Sequence, residues 1–181
     1  MKKYLILAAL TTISFTLKAQ DTPLNIPLID NKIIYQDTIS IKNVTKKQLF
    51  IKAKQWLTDN YRTYKTTIEN EDLEYSHISG LGLVHVETST IGIPRTLRDK
   101  FTIQFDFKDG KYRYKIYDFF IREGASIYKA QNLNDIYAKF QGTGSAGFSK
   151  SQCKDLILSN DVEVKKLITS LTNAMDTDDS F

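Results

Sequence analysis

The sequence predicts an α+β domain with the element order β-α-β-β-β-β-α, and three observations predict it. Between Thr45 and Tyr64 a capping signal precedes an apolar arc at the helical period. The stretch FTIQFDFKDGKYRYKIYDFF, from Phe101 to Phe120, alternates on both sides of an Asp109-Gly110 turn, the pattern of a β-hairpin. Cys153, Ile157, Val164, Leu167, Ile168, Leu171 and Met175 then keep one helical phase to the end of the chain.

The first nineteen residues read as a separate segment. Lys2 and Lys3 precede an apolar run from Tyr4 to Leu17, and Leu17-Lys18-Ala19 ends on a small residue before Gln20. This is the pattern of a secretory signal peptide, too short to be a good membrane span; an uncleaved N-terminal anchor is the alternative. No cysteine follows the cut, so a lipoprotein-type anchor is not indicated. The expected organisation is a signal peptide over residues 1–19, one domain over 20–175 and an acidic tail over 176–181. The expected location is the periplasm or the medium.

With 181 residues, 41% hydrophobic and 25% charged, the chain suffices for one domain with its own core. Lys2, Lys3 and Lys18 carry three of the formal +4, which leaves about +1 on the processed chain. A near-neutral exported domain lacks the excess charge that phosphate-backbone binding requires, which argues against nucleic acid. The single cysteine, Cys153, excludes an internal disulfide. Its place on a helical stripe suits a small buried hydrophobe better than a reactive thiol.

Along the chain, Asp30-Asn31 reads as a turn and Ile33 to Ile41 as a strand whose apolar face is interrupted by Asp37. Thr45 with Gln48 three residues on forms a capping box. Leu49, Phe50, Ala53, Trp56, Leu57, Tyr61 and Tyr64 then share one side of the helix. Lys46 and Lys47 in the first turn work against the helix dipole. Thr66 to Asp72 and Tyr75 to Val86 read as strands; Gly80 and Gly82 in the second suggest a bulge, a bend or a close approach. Glu87 to Arg98, with Pro94, reads as a polar connection. Between Ile121 and Lys150 a short helical turn fits Asn134 to Phe140, and QGTGSAG at 141–147 has a flexible composition. Asn160 falls on the apolar stripe of the last helix, a place where that helix could break and restart.

Strand parity about Asp109-Gly110 pairs Phe107 with Tyr112, Phe105 with Tyr114 and Ile103 with Ile116 on one face. It pairs Asp106 with Arg113, Gln104 with Lys115 and Thr102 with Tyr117 on the other. A base-stacking platform needs aromatic and cationic groups on the same exposed face. Here they are segregated, so the aromatics are core. The other face, Thr102, Gln104, Asp106, Arg113, Lys115 and Tyr117, is the candidate binding face. No catalytic set is legible: there is no nucleophile elbow and no metalloprotease helix motif. His77 and His85 share a predicted strand but stand about 26 Å apart along it, too far to share a metal. No cofactor or metal is expected. The acidic cluster Glu69, Glu71, Asp72 and Glu74 is the one set that an envelope hydrolase could use.

The run IPLIDNKIIYQDTISIKNVTKKQLFIKAKQWLTDNYRTYKTTIENED, followed by HISGLG, resembles a family of secreted bacterial proteins known as a domain of unknown function with a TATA-box-binding-protein-like fold. The likeness covers about Pro27 to Tyr117 and rests on the Thr-Lys-Lys-Gln-Leu helix start, the Ala-Lys-Gln-Trp-Leu core and the Lys-Tyr-Arg-Tyr strand. It implies a curved antiparallel sheet of about five strands with two helices on one face, and it transfers no catalytic residue. Fold does not fix function. The expectation is an exported, non-enzymatic binding module for an unknown protein or envelope component, using the open sheet face or a sheet edge, with no membrane span after signal cleavage. The alternatives are a carrier of a small apolar ligand between sheet and helices, suggested by ten Tyr and ten Phe, and the hydrolase above.

Overall fold

The computed structural model describes residues 24–61, 68–72, 74, 76–122 and 130–176, so residues 1–19, read above as a signal segment, and residues 177–181 lie outside it. A two-stranded ribbon, β1 (Leu28–Ile29) and β2 (Lys32–Ile33), turns at Asp30-Asn31, where both residues take positive φ. The main sheet follows, with β3 (Tyr35–Ser40), β4 (Ile68–Asp72), β5 (His77–Thr90), β6 (Ile93–Lys108), β7 (Lys111–Arg122) and β8 (Gln131–Asn132). Its order is β3-β7-β6-β5-β4, every pairing is antiparallel, and β8 continues the β3 edge of β7. Among the described residues three helices complete the fold: α1 (Lys46–Asn60), α2 (Leu133–Phe140) and α3 (Lys150–Asp176).

The capping box opens α1 as the sequence predicts. Gln48 N–H donates to Thr45 Oγ1 (3.3 Å), and Thr45 N–H donates to Gln48 Oε1 (2.9 Å). A second cap arrives from far along the chain. Asp109, in the β6–β7 turn, accepts from Lys46 N–H at 2.7 Å and places a carboxylate at the positive end of a helix that starts with two lysines. Gly110, with φ +74°, donates to the Val44 carbonyl and accepts from Ile41 N–H, both at 2.8 Å. The hairpin tip is thereby clamped to the β3–α1 connection.

The β6–β7 register agrees with strand parity, from Lys108 opposite Lys111 to Thr102 opposite Tyr117. Phe101, Ile103, Phe105, Phe107, Tyr112, Tyr114 and Ile116 are buried on the inner face. Beyond Tyr117 an irregularity intervenes. Lys100 pairs with Phe120, so two β7 residues, Asp118 and Phe119, oppose Phe101 alone, and Asp118 takes φ +55° in this β-bulge. The bulge reverses the alternation: Phe119 and Ile121 point inward and Phe120 turns out.

On the inner face α1 and α3 lie side by side, with Trp56 Nε1 donating to Ser170 Oγ at 3.1 Å. α3 rests mainly on β5, and α2 packs on α3 and β7. The rings pack against each other: Phe50 on Phe107, Trp56 on Phe105 and on Tyr61, Phe119 on Tyr35 and on Phe101. Gly82 sits opposite Phe101, and a Cβ there would lie 2.2 Å from the Phe101 ring, so close approach explains that glycine.

Three expectations need correction. Glu87 to Arg98 is a continuous hairpin, because β5 runs to Thr90 and β6 starts at Ile93 around an Ile91-Gly92 turn. Pro94 stands next to the Thr90–Ile93 pair that closes this turn. Bonded and non-bonded pairs alternate, so its missing N–H faces away from β5, beyond the end of β7. α3 runs unbroken through Asn160: Asn160 is buried against the sheet, and Asp161 accepts from Tyr35 Oη (3.1 Å) across the core and from Lys165 Nζ (2.7 Å) one turn on in the same helix. The glycines at 141–147 are not a slack linker. Thr143 and Gly144 N–H both donate to the Ala138 carbonyl, and a Cβ on Gly144 would meet Lys139 N at 2.6 Å. The five-stranded sheet with two long helices is as expected; α2 is the short helix expected at Asn134 to Phe140, and β8 and the β1–β2 ribbon are added to it. Asn134 Oδ1 ties α2 to β2 through Ile33 N–H at 2.8 Å.

Candidate binding face

The β6–β7 register places Thr102, Gln104, Asp106, Arg113, Lys115 and Tyr117 together on the outer face, away from the helices. Arg113 is exposed and the other five are half-buried. Neighbouring strands complete the rows. His77 on β5 and Thr38 on β3 flank the Asp106–Arg113 pair, and Ser79 and Gln36 flank Gln104–Lys115.

Asp106 is the hub. Its Oδ2 accepts from Arg113 Nε (3.1 Å) and Nη2 (2.7 Å), and its Oδ1 lies 2.9 Å from His77 Nδ1. Burial pushes this carboxyl up, but the hydrogen bonds from His77 and Arg113 outweigh it and hold Asp106 below the usual carboxylate range. Further along, Lys115 Nζ stands 4.6 Å from the Tyr117 ring centroid, a cation–π contact.

Beside the hub a pocket of about 410 Å³ opens, lined by Thr38, Ser76, Asp106, Lys108, Lys111 and Arg113, with Phe107 and Tyr112 at its base. Lys108 and Lys111 are directly opposed across the hairpin, a like-charge pairing that costs stability. Three cations thus surround one carboxylate, so the pocket is cationic. Sequence reading found Asp106 and Arg113 but not the pocket, because Thr38 and Ser76 come from segments distant along the chain. The lysine pair beside the Asp109-Gly110 turn was the available signal.

The other candidates are dispersed. Glu71 is bonded to Lys54 at 2.6 Å and ties β4 to α1, while the Glu69 side chain lies outside the described residues. Among the described residues no group of three or more His, Cys, Asp or Glu could hold a metal. His77 serves Asp106, and His85 is exposed opposite Arg98. Cys153 is fully buried, and burial pushes its thiol up.

One polar cluster escaped the sequence reading. Asp99, which lies between the expected connection and the expected hairpin strand, is fully buried on the inner face of β6, near Tyr35, Asn160 and Asp161. Burial holds its carboxyl well above the ordinary range. The Phe120 backbone N–H offsets this only in part, without reaching hydrogen-bond geometry. The alternation through β6 was the signal, since Asp99 keeps phase with Leu97 and Phe101.

Comparison with known proteins agrees with this architecture. Residues 35–122 match the family model described as a domain of unknown function (DUF4468) with TBP-like fold. A TBP-like protein from Parabacteroides distasonis superposes with a TM-score of 0.65 at 17% identity, covering 82% of this chain and 96% of that one. A DUF4468 family protein from Bacteroides ovatus gives 0.64 at 13% identity, covering 86% and 93%. No curated protein matches the sequence. The α+β architecture is therefore TBP-like, with a curved antiparallel sheet, and the DUF4468 match spans β3 to β7.

Proposed function

We propose that this is an exported, non-enzymatic binding module that holds an envelope component on the outer face of its sheet. The observation that carries this reading is the cationic pocket around Asp106 and Arg113, continuous with Lys115 and Tyr117 on a face that none of the described helices covers. An anionic group of the partner meets Lys108, Lys111 and Arg113 there, while Asp106 holds Arg113 in place. The interior offers less to the alternative of an apolar ligand under the helices, because the rings there already pack on one another.

The test compares wild type with a variant carrying Arg113→Ala, Lys115→Ala and Tyr117→Ala in capture from an envelope extract. These side chains are outside the core, so folding is retained. Loss of the captured species supports the face, and undiminished capture overturns it. Export is tested separately by N-terminal sequencing of the protein recovered from cells: Gln20 as first residue is expected, and Met1 counts against processing.

A further inference from the structure

The tip of the β5–β6 hairpin breaks a local rule without an internal gain. Thr90 and Ile93 face each other across Ile91-Gly92, and both turn residues have positive φ, +52° and +75°. A turn of this kind favours Asn-Gly, because a β-branched side chain is strained in the left-handed region. Ile91 nevertheless occupies it and is 97% exposed, and Ile93 beside it is 67% exposed.

The tip projects beyond the sheet. β4 reaches only as far as Gly80 on β5, and β7 ends opposite Arg98 of β6. It is nonetheless held firmly. Arg95 Nη1 donates to Thr90 Oγ1 (3.1 Å), and Gln152 Nε2 of α3 donates to Thr90 Oγ1 and to the Ser89 carbonyl, both at 3.0 Å. Arg95 and Arg98 lie on the hairpin, and the start of α3 brings exposed Lys150 and Lys154 to the same end. Glu87 and Asp155 are the acids there, so the surroundings carry a net positive charge.

We propose that this tip is a membrane contact that inserts Ile91 and Ile93 into the interface of an anionic bilayer. A protruding apolar knob needs a matching cavity on a protein partner, but a fluid acyl boundary accepts it without one. The surrounding cations meet the headgroup phosphates. The contact is peripheral: no helix among the described residues is long and apolar enough to cross a membrane. It is independent of the sheet-face reading, which uses the other hairpin.

The test is flotation of the processed protein with phosphatidylcholine vesicles, with and without phosphatidylglycerol. The variant pairs Ile91→Asn, which creates the favoured Asn-Gly turn, with Ile93→Thr, which keeps a β-branched strand residue, and an unchanged or higher melting temperature confirms its fold. Wild type is expected to float with the anionic vesicles, and the variant to partition at least about tenfold less. Equal flotation of the two proteins overturns the proposal, as does equal binding to neutral vesicles. Self-association that the variant abolishes, without vesicle binding, overturns it in favour of a second copy of the chain.

Discussion

The two hairpins that share β6 end in opposite ways. At one end Asp109-Gly110 follows turn chemistry, and every polar group singled out there has tertiary work: Asp109 caps α1, and Gly110 bonds the chain on both sides of Lys42. At the other end Ile91-Gly92 contradicts turn chemistry, and its apolar side chains face outward. The first tip is tied into the fold by its turn residues, and only its opposed Lys108 and Lys111 cost stability, beside the pocket they line. The second spends stability on a surface, as expected of a region selected for contact.

The contrast can be tested by substitution, beginning where the effect is largest. Phe105→Ala, in the fully buried ring cluster behind the first tip, is expected to cost about 3–5 kcal/mol in urea denaturation. Ile93→Ala, at the second tip, is expected to change stability by no more than about 0.5 kcal/mol. Similar losses from the two would erase the distinction.

Asp99 gives a pH signature between the tips. The folded state keeps a proton that the unfolded chain releases above its ordinary pKa of 3.8. The associated stability is therefore fully present in acid and lost as pH rises toward the folded pKa. Asp99→Asn should remove that decline, read as a flatter plot of urea midpoint against pH from about pH 4 upward. An unchanged slope would mean that Asp99 ionises freely in the fold.

Smaller effects come from the turns themselves. Asp109→Ala should destabilise by about 1 kcal/mol through loss of the α1 cap. Ile91→Asn alone should stabilise by about 1 kcal/mol through relief of the left-handed strain. If it destabilises instead, Ile91 has an internal role and the contact reading weakens.

Much was legible from local signals. Thr45 and Gln48 announced α1, Asp109-Gly110 set the register of β6 and β7, and alternation sorted Phe105 and Tyr114 inward and Arg113 and Lys115 outward. The second hairpin was not legible, because Glu87 to Arg98 carries few apolar residues and a proline. Its strands form by pairing and by support from α3, where Ser159 Oγ accepts from Glu87 N–H and Gln152 Nε2 donates to the Ser89 carbonyl.

Sequence alone determined the α+β class, the hairpin face that carries the candidate site and the absence of an internal disulfide, because spacing, turn residues and cysteine count act within a short reach of the chain. Tertiary structure decided the bulge at Asp118 and the pocket joining Thr38 and Ser76 to Arg113. Each of these depends on which distant segment lies across the sheet, and neither propensity nor periodicity encodes that.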